Sequence, residues 1–235
     1  MFKRIAMAVA LVLALPIMAG CLEIEERVSI EPDGTAGLDF KMRLVVPADQ
    51  MKKNPMDEAK GELSSVGSGV DGVTVEKFEV RDEYGQMILD LDLKADSFKA
   101  LRNSYATFPK PDKSGKKAGG GDVIEKLFSK KGFYTIKKRG KKLVIERKVG
   151  IKRRKKKSKG KDKDKDIEAL MSMLGGIMLH FDLVVPSKVI STNAQDTYGN
   201  TLRWAIPLNY LDGHEVKLRA EIESTPELAK SIFRK

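Results

Sequence analysis

The chain has 235 residues, with 44 lysines and arginines against 33 aspartates and glutamates, a formal charge of +11 and a single cysteine. One cysteine excludes an intrachain disulfide, and with it the common thiolate zinc centres. The charge is local rather than uniform: Glu23, Glu25, Glu26, Glu31, Asp33 and Asp39 crowd the first strands, and the basic excess lies between about residues 126 and 165.

Lys3 and Arg4 precede an uncharged apolar run over residues 5–19. A spanning helix needs about 20 apolar residues, and a shorter run with basic residues before it reads as a secretory signal. The run closes on Met18-Ala19-Gly20-Cys21. That ending resembles the lipobox of bacterial lipoproteins, in which small residues precede a cysteine that takes a diacylglyceryl group before cleavage. Met18 stands where leucine is usual. The expectation is a signal peptide over residues 1–20, a lipid-attachment residue at Cys21, and one domain over residues 21–235. The alternative is an ordinary signal or a retained N-terminal anchor, with Cys21 incidental. Leu22 after the cysteine favours the outer membrane in a Gram-negative host, and otherwise the anchor lies on the outer face of the cell membrane.

Beyond the signal the dominant period is two, the mark of strands with one buried face. Val28 and Ile30 alternate into a Pro32-Asp33-Gly34 turn, and Leu38, Phe40, Met42, Leu44 and Val46 return from it. Residues 48–63 carry a modest helical face. A second hairpin runs from Val73 to Val80, turns at Asp82-Glu83-Tyr84-Gly85 and returns through Met87, Leu89, Leu91 and Leu93, with Asp90 and Asp92 facing outward. A short helix follows, with Asp96 or Ser97 as its N-cap. Residues 109–121 are a loop and residues 122–130 a turn or two of helix. A third hairpin turns near Arg139-Gly140. Residues 151–166, IKRRKKKSKGKDKDKD, hold nothing that can be buried and read as an exposed, disordered insertion. IEALMSMLGGIM is an apolar, methionine-rich helix of about three turns. Two final hairpins and a frayed C-terminal helix close the chain. The expected fold is α+β, an antiparallel sheet built of hairpins with a few short helices packed on it.

The segment LHFDLVVPSKVISTNAQDTYGNTLRWAIPL resembles the LppM-like domain of bacterial lipoproteins. Its Pro186, Val189, Ser191-Thr192-Asn193, Gly199-Asn200-Thr201 and Trp204 stand where that family has a turn, a valine-serine-asparagine segment, Gly-Asn-Thr and a tryptophan strand. The start of the domain, with Asp33 and Gly34, also looks like the family, while residues 105–175 are not covered. The resemblance implies a compact envelope domain for which lipid or glycolipid binding has been proposed, and it brings no catalytic residues. Each matching residue also has a plain structural reading, in hairpin turns and on the apolar face of a strand.

No phosphate cradle, nucleophile elbow or zinc-protease motif is present, so no enzyme activity, cofactor or metal is expected. His180 and His214 read as surface histidines, and Asp90 and Asp92 as a solvated face rather than a cation site. The basic run Lys152, Arg153, Arg154, Lys155, Lys156 and Lys157 has no aromatics interleaved for base stacking, and export would keep it from nucleic acid, so none is expected as partner. An anionic envelope surface suits it, as does a purely solvating role. The functional expectation is a membrane-anchored, non-catalytic lipoprotein that binds lipid or glycolipid, through a cleft between the sheet and the methionine-rich helix. The alternative is an interaction lipoprotein whose lysine loop docks an anionic surface or an acidic partner.

Overall fold

A computed structural model of the chain describes residues 22–45, 66–108, 129, 131–150, 177–211 and 214–233. The helices expected over residues 48–63 and 122–130, the loop over 109–121, the lysine-rich insertion and most of the methionine-rich helix lie outside them.

Strands β1 (Leu22–Ile30), β2 (Ala36–Val45), β3 (Val73–Glu83) and β4 (Gln86–Ala95) come first, then helix α1 (Phe98–Ser104). Strands β5 (Thr135–Arg139), β6 (Lys142–Gly150), β7 (Met178–Val184), β8 (Val189–Thr192), β9 (Asp196–Tyr198) and β10 (Thr201–Pro207) follow. Helix α2 (Leu208–Leu211), strand β11 (Glu215–Glu223) and helix α3 (Pro226–Ile232) complete the described chain. The strands form a seven-stranded sheet in the order β3-β4-β2-β1-β7-β10-β9 and a four-stranded sheet in the order β5-β6-β11-β8.

This corrects the expected α+β class. The described molecule is mainly β, and its three helices are of seven, four and seven residues. The large sheet is mixed rather than antiparallel, because β1 runs parallel to β7, with Ile24 opposite Leu179 and Val28 opposite Leu183. Of the last connections, β9 to β10 is a hairpin, turning at Tyr198-Gly199-Asn200, and the others are not. β7 pairs with β10, whereas β8 and β11 belong to the small sheet. Period-two patterning fixes which face of a strand is buried but not which strand lies beside it, and a parallel neighbour demands a long crossover. Here that crossover spans the chain from Ile30 to Met178.

The three expected early hairpins are present, each at its expected turn. In the first, Asp33 accepts the Thr35 backbone N–H at 2.9 Å and the Thr35 hydroxyl at 2.7 Å. Gly34 sits at φ +89°, and a Cβ there would meet the Ser231 carbonyl oxygen at 2.6 Å. That close approach is the docking of α3 onto the β1–β2 turn, reinforced by a hydrogen bond from the Ser231 hydroxyl to the Pro32 carbonyl at 3.0 Å. α3 is thus packed rather than frayed: Thr225 caps it by accepting from Leu228 N–H at 3.1 Å, and Leu228, Ala229 and Ile232 are buried. Of the two residues expected to cap α1, Ser97 does so, its hydroxyl accepting from Ala100 N–H at 3.1 Å.

The inner faces of the two sheets share one apolar core. An aromatic layer fills part of it, with Tyr105 and Phe133 ring centroids 4.2 Å apart and Phe98 and Phe133 5.4 Å apart.

Candidate functional site

Cys21 and the run from Lys152 to Lys157 lie outside the described residues, but the points at which they join the fold are described. β1 begins at Leu22, the residue after Cys21, and is the middle strand of the large sheet. Across the row at Leu22 stand Leu44 of β2 and Met87 of β4. On the other side Glu23 pairs with Met178 of β7, which pairs with Pro207 of β10. The chain leaves toward residue 151 at Gly150, beside Glu215, and re-enters at Ile177, whose carbonyl accepts from Leu208 N–H at 2.9 Å. Gly150 has φ +89°, and a Cβ there would lie 2.1 Å from the His214 carbonyl oxygen and 2.9 Å from that of Leu211. Only glycine fits that exit. The two segments singled out by sequence therefore join the fold at the same end.

The outer face of the large sheet is covered by ion pairs. Asp90 is paired with Arg81, with Lys77 at 3.3 Å and with Lys41 at 3.7 Å. At 4 % exposure it is not the solvated outward residue expected. Burial works against its charge, but the hydrogen bonds from Arg81 and Lys77 prevail and hold the carboxyl below its ordinary range. Asp92 behaves oppositely: burial, then the charge of Asp39 opposite it, pushes its carboxyl up. Arg203 grips Asp182 with two hydrogen bonds of 2.8 and 2.7 Å. Arg43 joins Glu23 and Glu25, and His180 lies 3.9 Å from Glu23. His214 stacks on Tyr210 with ring centroids 4.6 Å apart. Among the described residues no group of three or more His, Cys, Asp or Glu side chains is arranged to hold a metal ion.

Sequence reasoning missed the polar centre of the interior. Glu26 of β1 and Arg147 of β6 form an ion pair between the two sheets, 3 % and 1 % exposed. Arg147 also donates from Nε to the Gly132 carbonyl at 2.7 Å, and its guanidinium lies 4.7 Å from the Phe181 ring centroid and 5.1 Å from that of Tyr134. Burial opposes the arginine's charge, but Glu26 and the neighbouring tyrosines outweigh it and keep the guanidinium protonated. The Tyr105 and Tyr134 hydroxyls are buried without a hydrogen bond of normal geometry. Burial, followed by the Glu26 charge, drives the Tyr105 hydroxyl well above its ordinary pKa. The signal was present in the sequence: extended back from Ile30, the alternation puts Ile24 and Glu26 on the core face, and Leu143, Ile145, Arg147 and Val149 do the same in β6.

Two of the residues that carry the resemblance, Asn193 and Trp204, help to join the sheets. Asn193, just beyond β8, accepts from Trp204 Nε1 at 3.2 Å and from Arg219 N–H at 2.8 Å, and donates to the Lys217 carbonyl at 2.6 Å. It thereby links β10 of the large sheet to β11 of the small one. Gly199, at φ +59°, makes the tight turn between β9 and β10.

No family model matches the chain. No curated protein matches it either. Among solved structures it is similar to the folded domain of LppM from Mycobacterium tuberculosis, determined by NMR, with 13% identity and a TM-score of 0.47 over 90% of this chain and 95% of that one. The likeness is distant. No ligand or chemistry is carried over from it. Among the described residues no helix is long and apolar enough to cross a membrane.

Proposed function

We infer that this is a lipid-anchored lipoprotein of the cell envelope that binds rather than catalyses, with lipid or glycolipid as its ligand class. The observation that carries the reading is the position of Cys21. It ends a signal-like segment and lies one residue before the central strand of the large sheet. A lipid on that residue holds the folded domain at the bilayer with no spacer between them. Each buried methylene contributes about 0.8 kcal/mol, and two acyl chains make the attachment effectively permanent where one would be marginal. Side chains occupy the space between the two sheets in the aromatic layer, which favours contact with lipid at the surface over enclosure there.

The second reading, docking of the lysine-rich insertion on an anionic surface, has its own support. The insertion joins the fold at Gly150 and Ile177, at the end where Cys21 precedes β1. Basic residues held close to anionic headgroups contribute about 1 kcal/mol each. The two readings are compatible, since an anchored domain would bring the insertion to that surface.

Metabolic labelling with a tagged fatty acid tests the anchor. The parent chain is expected to take up the label and lose residues 1–20, whereas Cys21→Ser takes up no label and keeps the apolar run over residues 5–19. A parent chain without label, or a Cys21→Ser chain labelled as strongly as the parent, would overturn the reading.

A further inference from the structure

The β3–β4 hairpin turns through Tyr84 and Gly85, at φ +54° and +82°. Two positive φ values mark the type I′ geometry, for which asparagine, aspartate and glycine are the natural first residues. A tyrosine there is unusual, since bulky side chains rarely adopt this backbone region. Its ring gains no packing in return, because Tyr84 is fully exposed. Folding therefore does not account for an aromatic residue at this position.

The register shows where the tip lies. Gln86 pairs with Val45 and Met87 with Leu44, and Leu44 pairs with Leu22. Tyr84 thus stands just past the row on which Cys21 would continue β1, two strands away. At roughly 4.8 Å between neighbouring strands, the lateral offset is about 10–15 Å. The carboxylates beside the tip are both engaged: Asp82 accepts the Gly85 N–H at 3.0 Å, and Glu83 pairs at 2.6 Å with Arg81, which also joins Glu79 and Asp90. Tyr210, half exposed on α2, lies at the same end of the sheet.

We propose that this end of the large sheet rests on the headgroup layer of the bilayer, with the Tyr84 ring seated among the headgroups and Tyr210 beside it. The occupant is a phospholipid surface carrying anionic headgroups. Two features of the chain select it: Cys21 directly precedes β1 here, and the segment bearing the lysine run leaves and re-enters here. A tyrosine ring with a polar tip is suited to that interface. The proposal rests on the anchored reading and adds an orientation to it, with the β1–β2 turn and Tyr198 pointing away from the membrane.

The test uses the full-length lipidated protein in vesicles of phosphatidylcholine and phosphatidylglycerol, with Tyr84→Trp and Tyr198→Trp as reporters. Tyr198 is also exposed but sits at the opposite end, and the native Trp204 is buried and gives a constant background. Tyr84→Trp is expected to shift its emission to the blue on reconstitution, to lose quenching by aqueous acrylamide and to gain quenching by lipids labelled at headgroup depth, while Tyr198→Trp changes in none of these. Equal acrylamide quenching of the two reporters in lipidated, vesicle-bound protein would overturn the orientation and leave the anchor standing. A mass spectrum with no lipid on Cys21 would overturn both.

Discussion

At position 26 a glutamate stands on the core face of the central strand, and an arginine of the small sheet, Arg147, meets it across the interior. Taking both charges out of water is costly, and their attraction offsets that cost only while both are present. Removing one partner is therefore far worse than removing both. Arg147→Ala is expected to destabilise the fold by about 3–5 kcal/mol, because it leaves Glu26 buried and uncompensated. The double variant Glu26→Leu with Arg147→Met is expected to recover most of that loss. Urea unfolding of the single and double variants checks it, and a single variant as stable as the parent would contradict this account of the core. The face on which each residue lies was legible from period two alone. The pairing was not, since nothing local in either strand announces that the opposing sheet supplies the opposite charge.

At the scale of elements, turns and strands were legible and their neighbours were not. Pro32-Asp33-Gly34, Tyr84-Gly85 and Arg139-Gly140 each announced a hairpin, and the local chemistry of such turns is short-ranged enough to read directly. The parallel partnership of β1 with β7 and the transfer of β8 and β11 to the small sheet depend on contacts between segments far apart in sequence. Asn193 shows how such a join is secured. Its amide oxygen serves Trp204 and the Arg219 backbone together. Asn193→Ala would leave the indole N–H, on a residue 3 % exposed, without that partner. A buried donor left unsatisfied costs about 1–3 kcal/mol, so the variant is expected to unfold at lower temperature and to alter the emission of the single tryptophan. Unchanged melting and emission would show that the link between the sheets does not depend on this residue.

The whole molecule has two unlike ends. One carries the start of β1, the tip with Tyr84, and the exit and return of the lysine-rich segment; the other carries the β1–β2 turn with α3 packed on it. The expectation of an anchor rests on four residues of sequence, Met18 to Cys21, because a lipid-attachment signal is local. The geometry that brings the lysine segment to the same end was not legible, because it depends on the register of five strands. The expected balance of helix and sheet failed for a related reason: alternation over nine to eleven residues builds long strands, whereas the described helices serve as short caps on the sheets. Mass spectrometry of the mature N-terminus, extracted from native membranes in mild detergent, decides whether Cys21 carries lipid. An N-terminal peptide beginning at Cys21 and carrying a diacylglyceryl group is expected. An unmodified cysteine, or a chain still beginning at Met1, would contradict the anchored reading.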